Sequence, residues 1–181
     1  LMKSLYNYTL NELQHEMVGL EQKPFRGTQI FSWLYQKRVK DIDEMSDISL
    51  RFREVLNEKY CLEIPTIHTR QDSQDGTVKL LLELKDSAKV ECVLMRYKYG
   101  NALCVSSQVG CNMGCSFCSS GLLGKQRNLE THEMIGQLLV MNNLIKNEKK
   151  GERITHIVVM GTGEPFDNYD NVLDFIRICN H

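Results

Sequence analysis

The hydrophobic period changes twice along the chain, and these changes constrain its fold more than any other feature. Up to about residue 60, apolar side chains recur at helical spacing in three runs. The runs contain Leu10, Leu13 and Met17; Ile30, Trp33 and Leu34; and Phe52, Val55, Leu56 and Tyr60. Thr9 and Glu12 form a capping-box pattern at the start of the first run. We therefore predict a small helical domain over residues 1–65.

The period falls to two in the next segment, residues 66–101. After the turn signal of Asp75 and Gly76, alternate apolar residues form two runs. The runs contain Val78, Leu80, Leu82 and Leu84, and Val90, Cys92 and Leu94. Alternation of this kind is typical of half-buried strands, so the segment is predicted to be an antiparallel strand pair that links two domains.

From residue 102 onwards the pattern is strand, helix, strand, helix. Strands are predicted at residues 102–107 and 154–160, with a helix from about Thr131 between them and another from about Asp167 or Asn168. A strand, a long helix and a second strand indicate a parallel pair with a crossover. The fold class is therefore α/β, with residues 102–181 as the opening of a barrel or sheet. Two such strands cannot close a barrel, and the chain stops at His181 without a turn or cap signal, so we expect it to be truncated.

Composition excludes several classes of protein. The chain has 181 residues, 42% hydrophobic and 25% charged, as in ordinary globular domains. No apolar run is long enough to span a membrane, and the first ten residues are too polar for a signal peptide, so we expect a cytoplasmic protein. Seven cysteines in such a chain favour metal or redox chemistry over disulfides. The net charge of -1 gives no overall basic field for nucleic acid.

Three of the cysteines lie within eight residues. Cys111, Cys115 and Cys118 follow the spacing Cys-x3-Cys-x2-Cys on a loop that leaves a predicted strand, with no fourth cysteine nearby. Three thiolates can hold a 4Fe-4S cluster and leave one iron open. That iron can bind the methionine end of S-adenosylmethionine (SAM), whose sulfonium can then accept a cluster electron. Phe117, between two ligands, is suited to packing against an adenine ring.

Two other interpretations of these cysteines remain open. Zinc would need a fourth ligand, for which Cys104 or His132 could serve, although their spacing matches no common zinc pattern. The three residues could also be unconnected core cysteines, but a loop rich in Gly and Ser offers them no shared buried face.

A second motif follows the strand predicted at residues 154–160. Gly161, Gly163 and Glu164 come directly after it. Glycines at the end of a strand let a ligand approach the backbone, and the Glu164 carboxylate can accept hydrogen bonds from an ammonium group such as that of SAM. Taken alone, such a motif is more often a turn than a site. Here it lies one crossover after the cysteine loop, at the end of parallel strands where ligands bind in α/β folds.

Together these motifs resemble the RlmN-type radical SAM enzymes, which methylate adenine in 23S rRNA and tRNA. The resemblance rests on residues 103–111, the cysteine loop, residues 126–129 and residues 160–165, and residues 25–34 are similar to the family's N-terminal domain. It implies that residues 102–181 are part of a radical SAM (β/α) barrel. It also implies methylation of adenine at carbon 2, although relatives that methylate carbon 8 share much of the pattern.

The resemblance also implies roles for individual residues. In such enzymes one SAM methylates a carrier cysteine, and a second SAM provides the radical that activates the methyl group. Cys104 matches the cysteine that resolves the intermediate by forming a disulfide with the carrier. Glu91 matches a proton acceptor, and Gly163 and Glu164 match a SAM contact. Each residue also has a plainer interpretation. Cys104 could be a core-facing residue of its strand, and Glu91 could be an ordinary exposed strand residue. Nothing in this chain matches the carrier, so we expect it to be inactive alone.

The expected partners come from the same resemblance. They are 23S rRNA, with tRNA as a further candidate, and an electron donor such as flavodoxin, with the protein itself a monomer and not bound to a membrane. The residues themselves say little about RNA, because the basic residues between Lys23 and Lys40 are followed at once by four acidic ones. Another radical SAM reaction, such as that of an activase or a small-molecule enzyme, and a non-catalytic iron-sulfur fragment remain alternatives.

Overall fold

The structure, a computed structural model, describes residues 2–148 and 151–181 and divides the chain into two compact units. The first unit comprises the chain up to Glu63 together with residues 174–181, and the second comprises residues 64–173. Both helices and strands are present, so the α/β class predicted from the sequence is confirmed. No helix among the described residues is long and apolar enough to cross a membrane.

The first unit is mostly helical. Its elements are β1 (Lys3–Ser4), α1 (Leu10–Gly19), α2 (Phe25–Ser32), α3 (Leu50–Lys59) and β2 (Tyr60–Cys61). The predicted capping box is confirmed: Thr9 Oγ1 accepts from the Glu12 amide, and Glu12 accepts from the Thr9 amide at 2.8 Å. The second predicted helix ends earlier than its apolar pattern, because a π-helical turn, Trp33–Lys37, follows α2. The parallel pairing of β1 with β2 was not predicted.

The second unit contains a five-stranded sheet. Its elements are β3 (Thr66–Asp72), β4 (Val78–Glu83), β5 (Lys89–Tyr97), β6 (Gly100–Cys104), β7 (Gln108–Val109), β8 (Arg127–Asn128), α4 (Thr131–Glu148), β9 (Ile154–Val158) and the start of α5 (Tyr169–Cys179). The strand order is β3-β4-β5-β6-β9, in which only β6 and β9 pair in parallel. The predicted linker strands therefore belong to the same sheet as the predicted barrel strands. The strand β3 was not predicted from the sequence, since its seven residues are all exposed and show no alternation of buried and exposed positions.

The register of the strands gives the sheet two different faces. Leu80, Leu94 and Leu103 are fully buried on one of them. Paired residues share a face, and successive residues alternate. Val93 pairs with Cys104, so these two residues lie on the opposite face, which we call the open face. Glu91, two residues before Val93, lies on the open face as well.

Candidate active site

The parallel pairing of β6 and β9 brings the two predicted motifs to the same end of the sheet. The chain after β6 and the chain after β9 stay hydrogen-bonded beyond the strands. Gly161 N donates to Val105 O at 3.0 Å, and Ser107 N donates to Thr162 O at 2.9 Å. The segment 161–164 therefore lies beside the segment 105–108, which leads into the cysteine loop.

Two buried polar side chains hold the segment 161–164 in place. Ser106 Oγ accepts from the Thr162 amide at 2.9 Å and donates to the Glu91 carbonyl at 2.6 Å. Gln108 Oε1 accepts from the Glu164 amide at 2.9 Å. Both side chains are fully buried. No role for either was predicted from the sequence, and the available signal was a run of polar residues directly after a buried strand.

The glycines of the second motif are needed for this packing. A Cβ on Gly161 would lie 2.6 Å from Ser106 Oγ, and a Cβ on Gly163 would lie 2.6 Å from Gln108 Cβ. Gly163 also has a φ of +109°, which residues with a side chain rarely adopt. In the structure, the segment 105–108 therefore packs directly against these two glycines. The Glu164 carboxylate caps the short 3-10 helix Pro165–Asn168, with its Oε1 2.9 Å from the Phe166 amide.

The cysteine loop is closed at its base by β7 and β8. These two-residue strands pair Gln108 with Asn128 and Val109 with Arg127. A Cβ on Gly110, where φ is +74°, would lie 1.7 Å from the Gly124 carbonyl oxygen, so only glycine fits there. The ends of the loop are therefore fixed before the three cysteines are reached.

The three predicted cluster ligands differ in exposure. Cys111 is half-buried, whereas Cys115 and Cys118 are exposed. Hydrogen bonds from the hydroxyl and amide of Ser120 lower the pKa of the Cys118 thiol, which favours its thiolate. Phe117, predicted to contact adenine, is 91% exposed. Within residues 2–148 and 151–181, no three His, Cys, Asp or Glu side chains are gathered as a metal site, so the three thiols share a loop without converging.

Cys104 and Glu91, the other predicted site residues, share the open face of the sheet. Cys104 is half-buried at the end of β6, where burial raises the pKa of its thiol and a hydrogen bond from the Met160 amide partly opposes that rise. The Glu91 carboxylate is exposed and pairs with Lys79 Nζ at 3.1 Å. Cys92 lies on the opposite face, where burial raises its pKa to about 12. All seven cysteines are free thiols.

A cleft of about 530 Å³ connects these parts of the second unit. Its lining includes Glu91, Gly110, Ser120, Gln126 and Thr162. It therefore borders the open face, the base of the cysteine loop and the segment after β9. The donor set also fits an iron-sulfur cluster chemically, because thiolates are the ligands such clusters use and all three lie on one accessible loop.

Comparisons with known proteins agree with this arrangement. Residues 3–62 match the family described as ribosomal RNA large subunit methyltransferase N-terminal domain. Two proteins from Streptococcus pyogenes, serotypes M2 and M5, are each 49% identical to this chain over 177 residues, 98% of its length. Both are named probable dual-specificity RNA methyltransferase RlmN. The chain is RlmN-like over nearly its whole length.

A solved structure has a fold similar to that of this chain. A radical SAM methyltransferase from Sphaerobacter thermophilus superposes with a TM-score of 0.87 at 36% identity, over 99% of this chain and 52% of that one. The RlmN-like chain spans about half the length of the curated relatives it matches, 49% in each case.

Proposed function

We propose that this chain provides the cluster-binding part of a radical SAM RNA methyltransferase that methylates adenine at carbon 2. The observation that carries the proposal is the similarity to RlmN proteins over 98% of the chain. The site supports it, because the cysteine loop and the segment 161–164 leave the same end of one parallel strand pair.

The cofactors would be a 4Fe-4S cluster and SAM. Cys111, Cys115 and Cys118 would hold the cluster, and Phe117, Gly163 and Glu164 would contact SAM. When bound, these cofactors supply a reductively generated radical. The chain's own contribution is to fix the loop base through β7 and β8, and to hold the Glu164 segment beside it.

Cys104 and Glu91 would act on the substrate side. Cys104 is proposed as the thiol that forms a disulfide with the methyl-carrying cysteine and so releases the product. Glu91 is proposed as a proton acceptor. Both residues lie on the open face of the sheet, which supports roles for them in the same reaction. The Glu91 carboxylate is exposed and therefore accessible.

The remaining features of the proposal are carried over from the sequence analysis. Residues 102–181 would be part of a (β/α) barrel, preceded by an accessory domain over residues 1–65 and the strands of residues 66–101. The substrates would be 23S rRNA and tRNA, as the dual-specificity names of the relatives suggest. We propose that the protein is a cytoplasmic monomer that takes electrons from a donor such as flavodoxin.

Reconstitution with iron and sulfide under anaerobic conditions tests the proposal. We expect about four iron and four sulfide ions per chain and a visible absorption that bleaches on reduction, because three thiolates can support one such cluster. Cys118→Ala should abolish this uptake. Cys61→Ala, which removes a half-buried thiol in the first unit, should leave it unchanged.

Two outcomes would contradict the proposal. The first is tight zinc binding without iron uptake, and the second is equal iron content in the two variants. A reconstituted chain that fails to bind SAM would contradict the assignment of Gly163 and Glu164 without affecting the cluster ligands.

A further inference from the structure

Two side-chain amides form a continuous hydrogen-bonded relay across the candidate site. The Glu164 amide donates to Gln108 Oε1, Gln108 Nε2 donates to Asn128 Oδ1, and Asn128 Nδ2 donates to the Asp167 carbonyl. Each of the three donor-acceptor distances is 2.9 Å. Gln108 is fully buried, so its amide has no water to replace these partners.

The direction of the relay is fixed by its two ends. A backbone amide can only donate, so the Gln108 atom that faces Glu164 must be the oxygen. Its nitrogen then faces Asn128 and requires an oxygen there. The Asn128 nitrogen in turn faces the Asp167 carbonyl, which can only accept. Each group is satisfied in one orientation alone, and turning either amide, or both together, would break two of the three bonds.

The relay joins two structures that the chain keeps far apart. Gln108 is in β7 and Asn128 is in β8, the strands that close the cysteine loop. Glu164 and Asp167 are the two ends of the turn that follows the Gly161–Gly163 motif, in which the Asp167 amide donates to the Glu164 carbonyl at 3.1 Å. The base of the cysteine loop and both ends of this turn therefore share one set of hydrogen bonds.

We propose that Gln108 is a positioning residue, which sets the Glu164 segment relative to the cysteine loop through Asn128. This inference rests on the proposed function, because it assigns the two positioned parts to SAM and to its cluster. Gln108 contacts neither cofactor in this proposal. Its effect passes through the Glu164 amide on one side and the closing strands of the loop on the other.

Gln137 offers a matched control. It is also a fully buried glutamine in the second unit, and its amide also makes two hydrogen bonds, from Ser106 N at 2.9 Å and to Ser106 O at 3.0 Å. These bonds anchor α4 to the segment 105–108 and do not reach Glu164 or Asn128. Gln108→Met and Gln137→Met therefore each remove two side-chain hydrogen bonds of a buried glutamine with little change in volume.

The first measurement needs no cofactor. We expect hydrogen exchange at the Glu164 amide to become roughly tenfold faster in Gln108→Met, since that amide loses the Gln108 oxygen that accepts its hydrogen bond. In Gln137→Met it should stay within about twofold of the starting rate once both variants are compared at equal global stability. Asn128→Ala added to Gln108→Met should change the rate little, because the relay is already broken.

The second measurement uses SAM on the anaerobically reconstituted chain. We expect Gln108→Met to weaken SAM affinity about tenfold at unchanged iron content, and Gln137→Met to leave that affinity unchanged. Equal exchange rates and equal SAM affinities in the two variants would overturn the inference. If the reconstituted chain takes up no iron, the proposed function fails, and the exchange rates of Glu164 still decide the structural part of this inference.

Discussion

At the scale of single residues, Cys92 and Cys104 show how the face of the sheet on which a cysteine lies affects the pKa of its thiol. They lie on neighbouring strands, but the register places them on opposite faces of the sheet. Cys92 is 1% exposed and its pKa is raised to about 12, so it carries no thiolate near neutral pH. Cys104 is half-buried, and although burial also raises the pKa of its thiol, a hydrogen bond from the Met160 amide partly opposes that rise.

This contrast leads to a prediction for Cys104. We would join this chain to the remaining half of a Streptococcus pyogenes relative, the part in which the proposed function expects the methyl-carrying cysteine. Cys104→Ala should then retain its iron but release no methylated RNA, because no second thiol can attack the intermediate. A covalent protein-RNA species should accumulate on denaturing gels.

Cys92→Ala is the control for this prediction. It removes a thiol from the neighbouring strand and the opposite face, so we expect turnover to continue and no covalent species to form. Normal turnover by Cys104→Ala would show that Cys104 serves only to pack the strand.

At the scale of elements, the segment 105–108 and the segment 161–164 extend the β6 and β9 pair beyond the strands themselves. Their backbones approach so closely that Gly161 lies against Ser106 and the Val105 carbonyl carbon. The sequence pattern indicated that the glycines of this motif permit a close approach. It did not identify the neighbour, which depends on the pairing of two strands separated by α4.

Gly161→Ala tests this extension. Its Cβ would lie within 2.8 Å of the Ser106 amide and the Val105 carbonyl carbon, which are backbone atoms and cannot turn aside. We expect a loss of about 1–3 kcal/mol in the free energy of unfolding. Gly19→Ala, at the end of α1, meets no atom within 4 Å and should not destabilise the chain. Denaturant titrations of both variants measure the difference, and equal midpoints would show that the two segments can separate.

At the scale of the whole molecule, charge limits how RNA can be bound. The net charge of -1 provides no long-range attraction, so any contact must be local. Some of the basic residues between Lys23 and Lys40 already have partners. Arg26 donates to Gln29 and to the Asp47 carbonyl, and Lys37 lies 3.2 Å from the centre of the Trp33 ring.

We therefore predict that RNA binding by this chain depends only weakly on salt. Five cations that all contacted phosphates of a single strand would give a log-log slope of about -3.5. Because some of them are engaged, the slope should be shallower. Filter binding of an adenine-rich single strand over a salt series measures it, and a steeper slope would reveal a phosphate-binding surface that the sequence does not indicate.

The sequence by itself determined the features that depend on near neighbours. The capping box of Thr9 and Glu12, the α/β class and the spacing of Cys111, Cys115 and Cys118 are readable because helix caps, strand alternation and loop motifs are set within a few residues. The boundaries were less well predicted: the third strand ends at Cys104 instead of residue 107, because the chain after it bonds to a segment that the local pattern does not contain.

Only the tertiary structure decided how the site is held together. Gln108 is hydrogen-bonded to Asn128, 20 residues away in the sequence, and to Glu164, 56 residues away. Asn128 is hydrogen-bonded to Asp167, 39 residues away. These contacts exist because β6 and β9 pair in parallel and because β7 and β8 close the cysteine loop. A buried amide is satisfied by whichever group the fold places against it, so its partner cannot be identified from the residues beside it in the sequence.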